Sequence, residues 1–244
     1  MSNNAQQQKP LVSVVTVCRN ALPALQKTAE SVAAQTYPEV EYIVVDGASH
    51  DGTAQWLHAQ ASRLARYVSE PDGGIFDAMN KGVRMARGEW VCFMNAGDVF
   101  ANSGVLQRVF AVAATEQADV IYGDVVKNGR VKVAERPHNA HRMFFCHQSA
   151  LVRTTCLRQF PFDTRLRMSA DLKQMKQLFL SGKHFLQLSF PVAVFDTEGV
   201  SNTRRSDGLK ENMRVVRELD TLPTQLRLLP RLWLTYLVCR IRGK

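Results

Sequence analysis

The sequence predicts an α/β protein whose sheet is mainly parallel in the first half of the chain and mixed in the second half. Over residues 11–119, short runs rich in Val and Ile alternate with helical stretches, a pattern typical of βαβ units. After residue 120 the spacing changes, and Asn128-Gly129 between two β-branched runs indicates an antiparallel hairpin with a type I′ turn. We therefore expect one domain in which helices flank the sheet.

Each element follows from a local pattern. Apolar β-branched runs predict strands at 11–17, 41–45, 66–69 and 90–94, and at 120–127 and 130–133 around the turn. Amphipathic stretches predict helices at about 24–34, 75–86, 171–181 and 207–219. We divide the chain into a flexible segment at 1–10, a domain at 11–220 with halves 11–119 and 120–220, and a C-terminal helix within 221–244.

Composition limits the class of protein. The 244 residues are 45% hydrophobic, which excludes an intrinsically disordered chain, and they contain no apolar run long enough to span a membrane. The polar first ten residues lack the apolar core of a signal peptide, and five cysteines without CxxC spacing predict reduced thiols. We expect a cytoplasmic protein. Its net charge of +9 favours nucleic acid, an anionic membrane surface or a phosphate-bearing substrate as partner.

Polar side chains follow the predicted parallel strands where those strands end. Asp46 follows the second strand, Asp72 the third, and Asn95 and Asp98 the fourth. Parallel strands deliver such residues to one edge of the sheet, where ligands bind in this architecture. Converging carboxylates suit a hard divalent cation, Mg²⁺ or Mn²⁺, held together with substrate phosphates. A single Asp at a strand end is more often a helix cap, so the prediction depends on their joint occurrence.

Two absent motifs and four present segments limit the class of reaction. The Walker pattern and a GxGxxG after the first strand are both absent, which disfavours P-loop NTPases and nicotinamide dehydrogenases. The segments SVVTVCRN (13–20), YIVVDGASHDGT (42–53), SEPDGGIFDAMNKG (69–82) and GEWVCFMNAGD (88–98) resemble the inverting family-2 glycosyltransferases of the GT-A fold. Within that family the chain is most similar to bacterial exopolysaccharide transferases of the colanic-acid type. The resemblance covers roughly residues 10–205.

The resemblance implies a nucleotide-sugar-binding first half. Asp46 matches the aspartate that contacts the nucleotide base of the donor, while Asp72, Asn80 and Lys81 match residues that line the donor pocket. Lys81 is equally consistent with a solvated lysine on a helix.

The resemblance also implies a metal site in the turn after the fourth strand. Residues 95–98 align with the family's Asp-x-Asp motif, but Asn95 and Gly97 stand where aspartates are common. Asp98 is therefore the main expected ligand of Mg²⁺ or Mn²⁺, and Asn95 can add its carbonyl oxygen. This departure puts a strict metal dependence in question.

The second half is expected to bind the acceptor and to hold the catalytic base. Asp171, at the start of a predicted helix, matches the acidic base of the family, and a carboxylate in that position also interacts favourably with the helix dipole. His147 matches a His-Gln segment on the acceptor or diphosphate side. Arg204 and Arg205 end a loop that either closes over the donor phosphates or forms a solvated basic turn. His138, His141, Cys146 and His147 fit no zinc spacing.

The tail from residue 221 contains five arginines or lysines and no acidic residue. It is expected to form a basic amphipathic helix, which Pro230 starts or kinks and which docks either on anionic lipid or on the protein itself. An acceptor linked to lipid favours a peripheral position on the inner face of the membrane. We therefore predict a metal-dependent, inverting sugar transferase of bacterial surface or exopolysaccharide synthesis. A sugar nucleotidyltransferase is the alternative enzyme, and a basic nucleic-acid-binding protein is a remote one.

Overall fold

The computed structural model describes residues 9–196 and 205–241. Its strands are β1 (Val12–Cys18), β2 (Val40–Asp46), β3 (Arg66–Ser69), β4 (Trp90–Phe93), β5 (Val99–Phe100), β6 (Val120–Lys127), β7 (Arg130–Lys132), β8 (Ala150–Arg153) and β9 (Phe185–Phe195). Its α-helices are α1 (Leu22–Ala33), α2 (Thr53–Ala59), α3 (Ile75–Met85), α4 (Val105–Val109), α5 (Thr154–Gln159), α6 (Ala170–Leu180), α7 (Arg205–Leu219) and α8 (Leu222–Ile241).

The described strands form one mixed sheet in the order β3-β2-β1-β4-β8-β6-β9-β5, with β7 paired to β6. In the first half, β1 lies between β2 and β4 and is parallel to both, and β3 is parallel to β2. In the second half, β8 is antiparallel to β4 and to β6, while β9 is parallel to β6. The predicted fold class, parallel first and mixed afterwards, is confirmed.

Alternate residues of β1 enter two different cores. Val15 and Val17 face a core that includes α3 and α6, whereas Val12 and Val14 face a core on the opposite side that includes α1. This period of two explains why the run 11–17 is mostly apolar and fully buried from Val12 onward, since both faces of the strand are covered.

Several predicted elements are confirmed with small shifts. The hairpin of β6 and β7 turns at Asn128 and Gly129, whose φ angles of 51° and 69° are both positive, as a type I′ turn requires. Helix α1 begins two residues before the expected start, because the carboxylate of Asp51 accepts a hydrogen bond from the Leu22 N–H and a proline lies in the first turn.

The prediction that Pro230 starts or kinks the C-terminal helix is wrong about the start. Helix α8 begins at Leu222, with Pro223 in its first turn, and Pro230 lies inside the helix. Pro230 is exposed, and its missing N–H leaves one helical carbonyl without its usual partner.

Buried ion pairs fasten the helices of the second half to one another. Lys176 of α6, with a side chain only 1% exposed, lies 2.8 Å from the carboxylate of Asp220 between α7 and α8, and Asn139 bonds to both groups. Burial lowers the pKa of Lys176, while the Asp220 carboxylate opposes that shift. Removing either partner would leave an uncompensated buried charge, so this pair fixes α6 against the α7–α8 junction.

Gly82 on α3 permits the close approach of that helix to β1, and its replacement by alanine tests this packing. A Cβ at Gly82 would overlap with Cγ1 of Val15 in the core. We expect Gly82→Ala to lower the free energy of unfolding by about 1–3 kcal/mol, measured by urea denaturation, because a filled core cannot take an added methyl without strain.

Gly208 on α7 provides the matched control. A Cβ there would meet the Met168 Cβ at 3.7 Å, an ordinary contact. Gly208→Ala should raise the free energy of unfolding by about 0.5–1 kcal/mol, since alanine favours the helix. Equal midpoints for both variants would contradict the packing argument.

Candidate active site

The carboxyl ends of β2 and β3 bring Asp46 and Asp72 to one edge of the sheet. Asp46 is fully buried, and it accepts hydrogen bonds from the hydroxyl and N–H of Ser49 and, at 2.6 Å, from the Ser69 hydroxyl. Asp72 is half-buried and accepts a hydrogen bond of 2.9 Å from the Gly74 N–H. Asp46 therefore joins the loop after β2 to the end of β3, while Asp72 is the more exposed of the two carboxylates.

Gly47 makes room for the carboxylate of Asp72. A Cβ at Gly47 would overlap with Oδ2 of Asp72. The turn after β2 thus lies against the turn after β3. An alanine at position 47 would displace the Asp72 carboxylate from its place at the edge of the sheet. The sequence alone had given no role to this glycine.

Lys81 and Asn80 of α3 are bonded within the protein. Lys81 Nζ donates to the Pro71 carbonyl at 2.8 Å and forms an ion pair of 2.8 Å with Glu70, which ties the turn at 70–74 to the helix. The amide of Asn80 exchanges two hydrogen bonds with the backbone of Phe162. These contacts engage the polar atoms of both side chains within the protein. That the two residues line a donor pocket stays a prediction.

Asn95 and Asp98 lie in the turn that follows β4. Asp98 is 3% exposed, and its Oδ1 accepts a hydrogen bond of 2.8 Å from the Asp196 N–H at the end of β9. Burial raises the pKa of Asp98, although that N–H and the nearby His147 favour the charged form. Gly97, with φ of +100°, leaves no room for a side chain, because a Cβ there would overlap with the Asp196 carboxylate.

His147 connects the turn after β4 to the N-terminus of α6. Its Nδ1 lies 3.3 Å from Oδ2 of Asp171, and its Nε2 lies 3.2 Å from Nδ2 of Asn95. A single tautomer satisfies both contacts, with Nδ1 donating to Asp171 and Nε2 accepting from the Asn95 amide. The structure therefore brings three of the predicted site residues into one hydrogen-bonded chain.

This orientation of the Asn95 amide turns its oxygen away from His147. Asn95 Oδ1 is buried and accepts no hydrogen bond from the described residues. A buried acceptor without a donor is costly unless another group meets it, and a cation would do so.

The oxygen ligands in this turn fit a divalent cation that takes its remaining ligands from a substrate. Asn95 Oδ1 and the Asp98 carboxylate are hard oxygen ligands of the kind that Mg²⁺ and Mn²⁺ prefer, and such cations commonly take further ligands from phosphates. Within the described residues, no three His, Cys, Asp or Glu side chains are arranged to hold a metal on their own. The arrangement does not fit a closed zinc site.

Glu211 of α7 positions the start of α6, where Asp171 lies. Its carboxylate accepts three hydrogen bonds of 2.8–3.0 Å from the backbone N–H groups of Arg167, Met168 and Ser169. Sequence reasoning missed this residue, because one Glu on an amphipathic helix carries no distinguishing pattern. Asp171 itself is fixed by His147 and by the Leu172 N–H, which donates to its Oδ1 at 2.8 Å.

The arginines expected over the diphosphate are described only in part. Arg204 lies outside the described residues, and Arg205 is the exposed first residue of α7. The loop that was expected to carry them, 198–205, is otherwise outside the described part of the chain.

The sheet order and the polar edge match the GT-A fold of solved glycosyltransferase structures. The chain belongs to glycosyl transferase family 2, whose family model matches residues 13–174. An uncharacterized glycosyltransferase of Mycobacterium tuberculosis is 29% identical over 222 residues, covering 86% of this chain and 84% of the relative. The PGL/p-HBAD biosynthesis glycosyltransferase of Mycobacterium bovis is 30% identical over 171 residues, covering 66% of this chain and 67% of the relative.

Solved structures support the fold. The mannosyltransferase PcManGT of Pyrobaculum calidifontis, in complex with GDP-Man and Mn²⁺, has a TM-score of 0.70 at 20% identity, covering 94% of this chain and 70% of that chain. S. aureus TarS 1-349 in complex with UDP has a TM-score of 0.67 at 22% identity. The match covers 84% of this chain but only 64% of the TarS chain, less than two thirds. At these identities the likeness concerns the fold alone.

Glu211→Ala tests whether α7 holds the start of α6. We expect a loss of about 1–3 kcal/mol in the free energy of unfolding, because three N–H groups lose their acceptor. Amide hydrogen exchange should also become faster at Met168 and Ser169, since local opening becomes easier.

Arg214→Ala, an exposed site on the same helix, is the control and should change the free energy of unfolding by less than about 0.5 kcal/mol. Unchanged exchange at 168 and 169 in Glu211→Ala would contradict the positioning role.

Proposed function

We propose that the chain transfers a sugar, with inversion at the anomeric carbon, from a nucleotide-sugar donor to a saccharide acceptor. The observation that carries the proposal is the hydrogen-bonded chain Asn95–His147–Asp171, which joins the proposed metal turn to the proposed base. Membership of family 2 favours this reaction over the sugar nucleotidyltransferase and the nucleic-acid-binding protein.

The donor is assigned to the edge formed by β1, β2 and β3. Asp72 is the residue proposed for direct contact, since it is partly exposed there. Asp46, Asn80 and Lys81 are proposed to shape the pocket through the bonds they make within the protein. Neighbours in the fold bind UDP, UDP-GlcNAc and GDP-Man, which supports a nucleotide-sugar donor without selecting the base or the sugar.

Asp171 is the proposed general base. It takes the proton of the acceptor hydroxyl as that oxygen bonds to the anomeric carbon and the bond from carbon to the diphosphate oxygen breaks, so that the nucleoside diphosphate leaves. The Asp171 side chain is 18% exposed, which leaves it open to an acceptor. His147 orients the carboxylate, and Arg204 and Arg205 are proposed on the acceptor or diphosphate side.

Asp98 and Asn95 are the residues proposed to hold Mg²⁺ or Mn²⁺ together with the donor diphosphate. When bound, the cation neutralises the charge that develops on the leaving diphosphate. The buried Asn95 Oδ1 supports this assignment, as does a neighbour in the fold that carries Mn²⁺ with GDP-Man.

The acceptor is proposed to be lipid-linked and to belong to bacterial surface or exopolysaccharide synthesis, with the colanic-acid type as the nearest model. We place the protein in the cytoplasm, peripheral on the inner face of the membrane. A relative named for PGL/p-HBAD biosynthesis supports a biosynthetic role. No helix within the described residues is long and apolar enough to cross a bilayer.

Two substitutions distinguish the proposed metal-binding role of Asp98 from the proposed role of Asp171 as the base. A thermal-shift screen of nucleoside diphosphates and sugar nucleotides with Mn²⁺ first identifies the donor. Asp171→Asn should keep the Mn²⁺-dependent shift and lose about 10²- to 10⁴-fold in turnover, because only proton transfer is removed. Asp98→Ala should lose the Mn²⁺-dependent part of the shift.

Glu39→Gln, an exposed carboxylate before β2, is the control and should behave like the wild type. Undiminished turnover in both Asp171→Asn and Asp98→Ala would contradict the site assignment. The configuration of the product, read by NMR, tests inversion independently.

A further inference from the structure

One side of α8 packs on the protein. Leu228, Leu232 and Cys239 are buried, and the two leucines form a small core with Met213 and Val216 of α7. The helix therefore docks on its own chain, which was one of the two alternatives open at the sequence level.

The opposite side of α8 is apolar and exposed. At about 100° per residue, Leu226, Leu237 and Ile241 point away from the buried side, and they are 69%, 49% and 85% exposed. We call the exposed apolar side chains of this helix its outer face; they are Leu222, Leu226, Trp233, Leu234, Leu237, Val238 and Ile241. A helix docked on one side normally presents polar residues on the other, so this face indicates a partner.

Arginines border the outer face on both sides. By the same geometry, Arg240 lies along one border, and Arg227 and Arg231 lie along the other, all exposed. No Asp or Glu follows Asp220 in the sequence. An apolar strip between arginines, with a tryptophan on it, matches the boundary between headgroups and acyl chains.

A second basic segment adjoins the arginine border. The loop at 136–142 contains the exposed side chains of Arg136, His138 and Arg142. Asn139 of this loop donates a hydrogen bond of 2.8 Å to the carboxylate of Asp220, two residues before α8, so the loop lies close to the start of that helix. The loop therefore adds basic side chains beside α8, although Glu135 pairs with Arg142 at 2.7 Å.

We propose that the outer face of α8, with its arginines and the loop at 136–142, docks the protein on the anionic headgroups of a bilayer. A second copy of the chain is a poorer occupant, because a symmetric contact would bring like-charged arginines together with no acidic residue on α8 to balance them. The proposal rests on the proposed function in one respect only, because a lipid-linked acceptor places the reaction at a membrane.

The docking surface on α8 is connected to the proposed base through contacts between helices. Asp220, between α7 and α8, pairs with Lys176 of α6, and Asp171 is the second residue of α6. Docking through α8 thus connects the bilayer to the proposed base through α7 and α6.

The test is sedimentation of the full chain with vesicles, without donor or acceptor, comparing phosphatidylcholine alone with phosphatidylcholine containing phosphatidylglycerol. We expect binding only to the anionic vesicles, weakened by salt, with a blue shift in tryptophan fluorescence as Trp233 enters the interface. Leu237→Gln with Ile241→Gln should weaken binding by more than about tenfold. Arg227→Gln and Arg231→Gln should each weaken it about fivefold.

Ile75→Gln is the matched control, since Ile75 is an exposed apolar side chain on α3 in the first half of the chain, outside the proposed surface, and it should bind like the wild type. Equal binding by the Leu237/Ile241 variant and the control would overturn the proposal. So would absence of vesicle binding together with self-association that the same α8 variant abolishes. Because no substrate is present, failure here leaves the transferase assignment untouched, and a Mn²⁺-dependent thermal shift with the donor tests that assignment separately.

Discussion

The antiparallel pairing of β8 with β4 is the constraint on which the site depends. Strand β4 runs parallel to β1 and ends at the polar edge, while β8 runs the opposite way and begins there. Residues just after β4 and just before β8 must therefore be neighbours, and these are Asn95 and His147. A parallel strand in the place of β8 would have put His147 at the far end of the sheet. One reversal of direction thus joins a turn from the first half to a helix from the second.

Several contacts in the second half fix the position of α6. Glu211 holds the backbone before the helix, Lys173 bonds to Asp163 and Glu218, and Lys176 pairs with Asp220. These contacts come mainly from α7 and the segment that follows it, so α7 connects the proposed base on one side to α8 on the other. A base that must meet an acceptor hydroxyl within hydrogen-bonding distance gains from such support, because misplacement by about 1 Å is costly to the rate.

The sequence predicted the parallel strands, the hairpin and the polar edge, since these depend on local alternation, turn residues and strand ends. It could not predict the pairings that cross the chain, such as β4 with β8 or β6 with β9, because nothing local encodes them. The same holds for the site. Asp171 and His147 came from a family resemblance, whereas Gly47 and Glu211 act through residues at least 25 positions away along the chain. Asn80 and Lys81 were expected to line a donor pocket, and the structure adds their partners within the protein.

His147 is proposed to act on the reaction through Asp171, and a double-mutant cycle on donor turnover tests this role most directly. We expect His147→Ala alone to slow turnover by about tenfold or more, and Asp171→Asn to slow it further. The double variant should be no slower than Asp171→Asn, within about threefold, because an orienting residue has nothing left to orient. Losses that multiply in the double variant would show that the two residues act independently and would contradict the account.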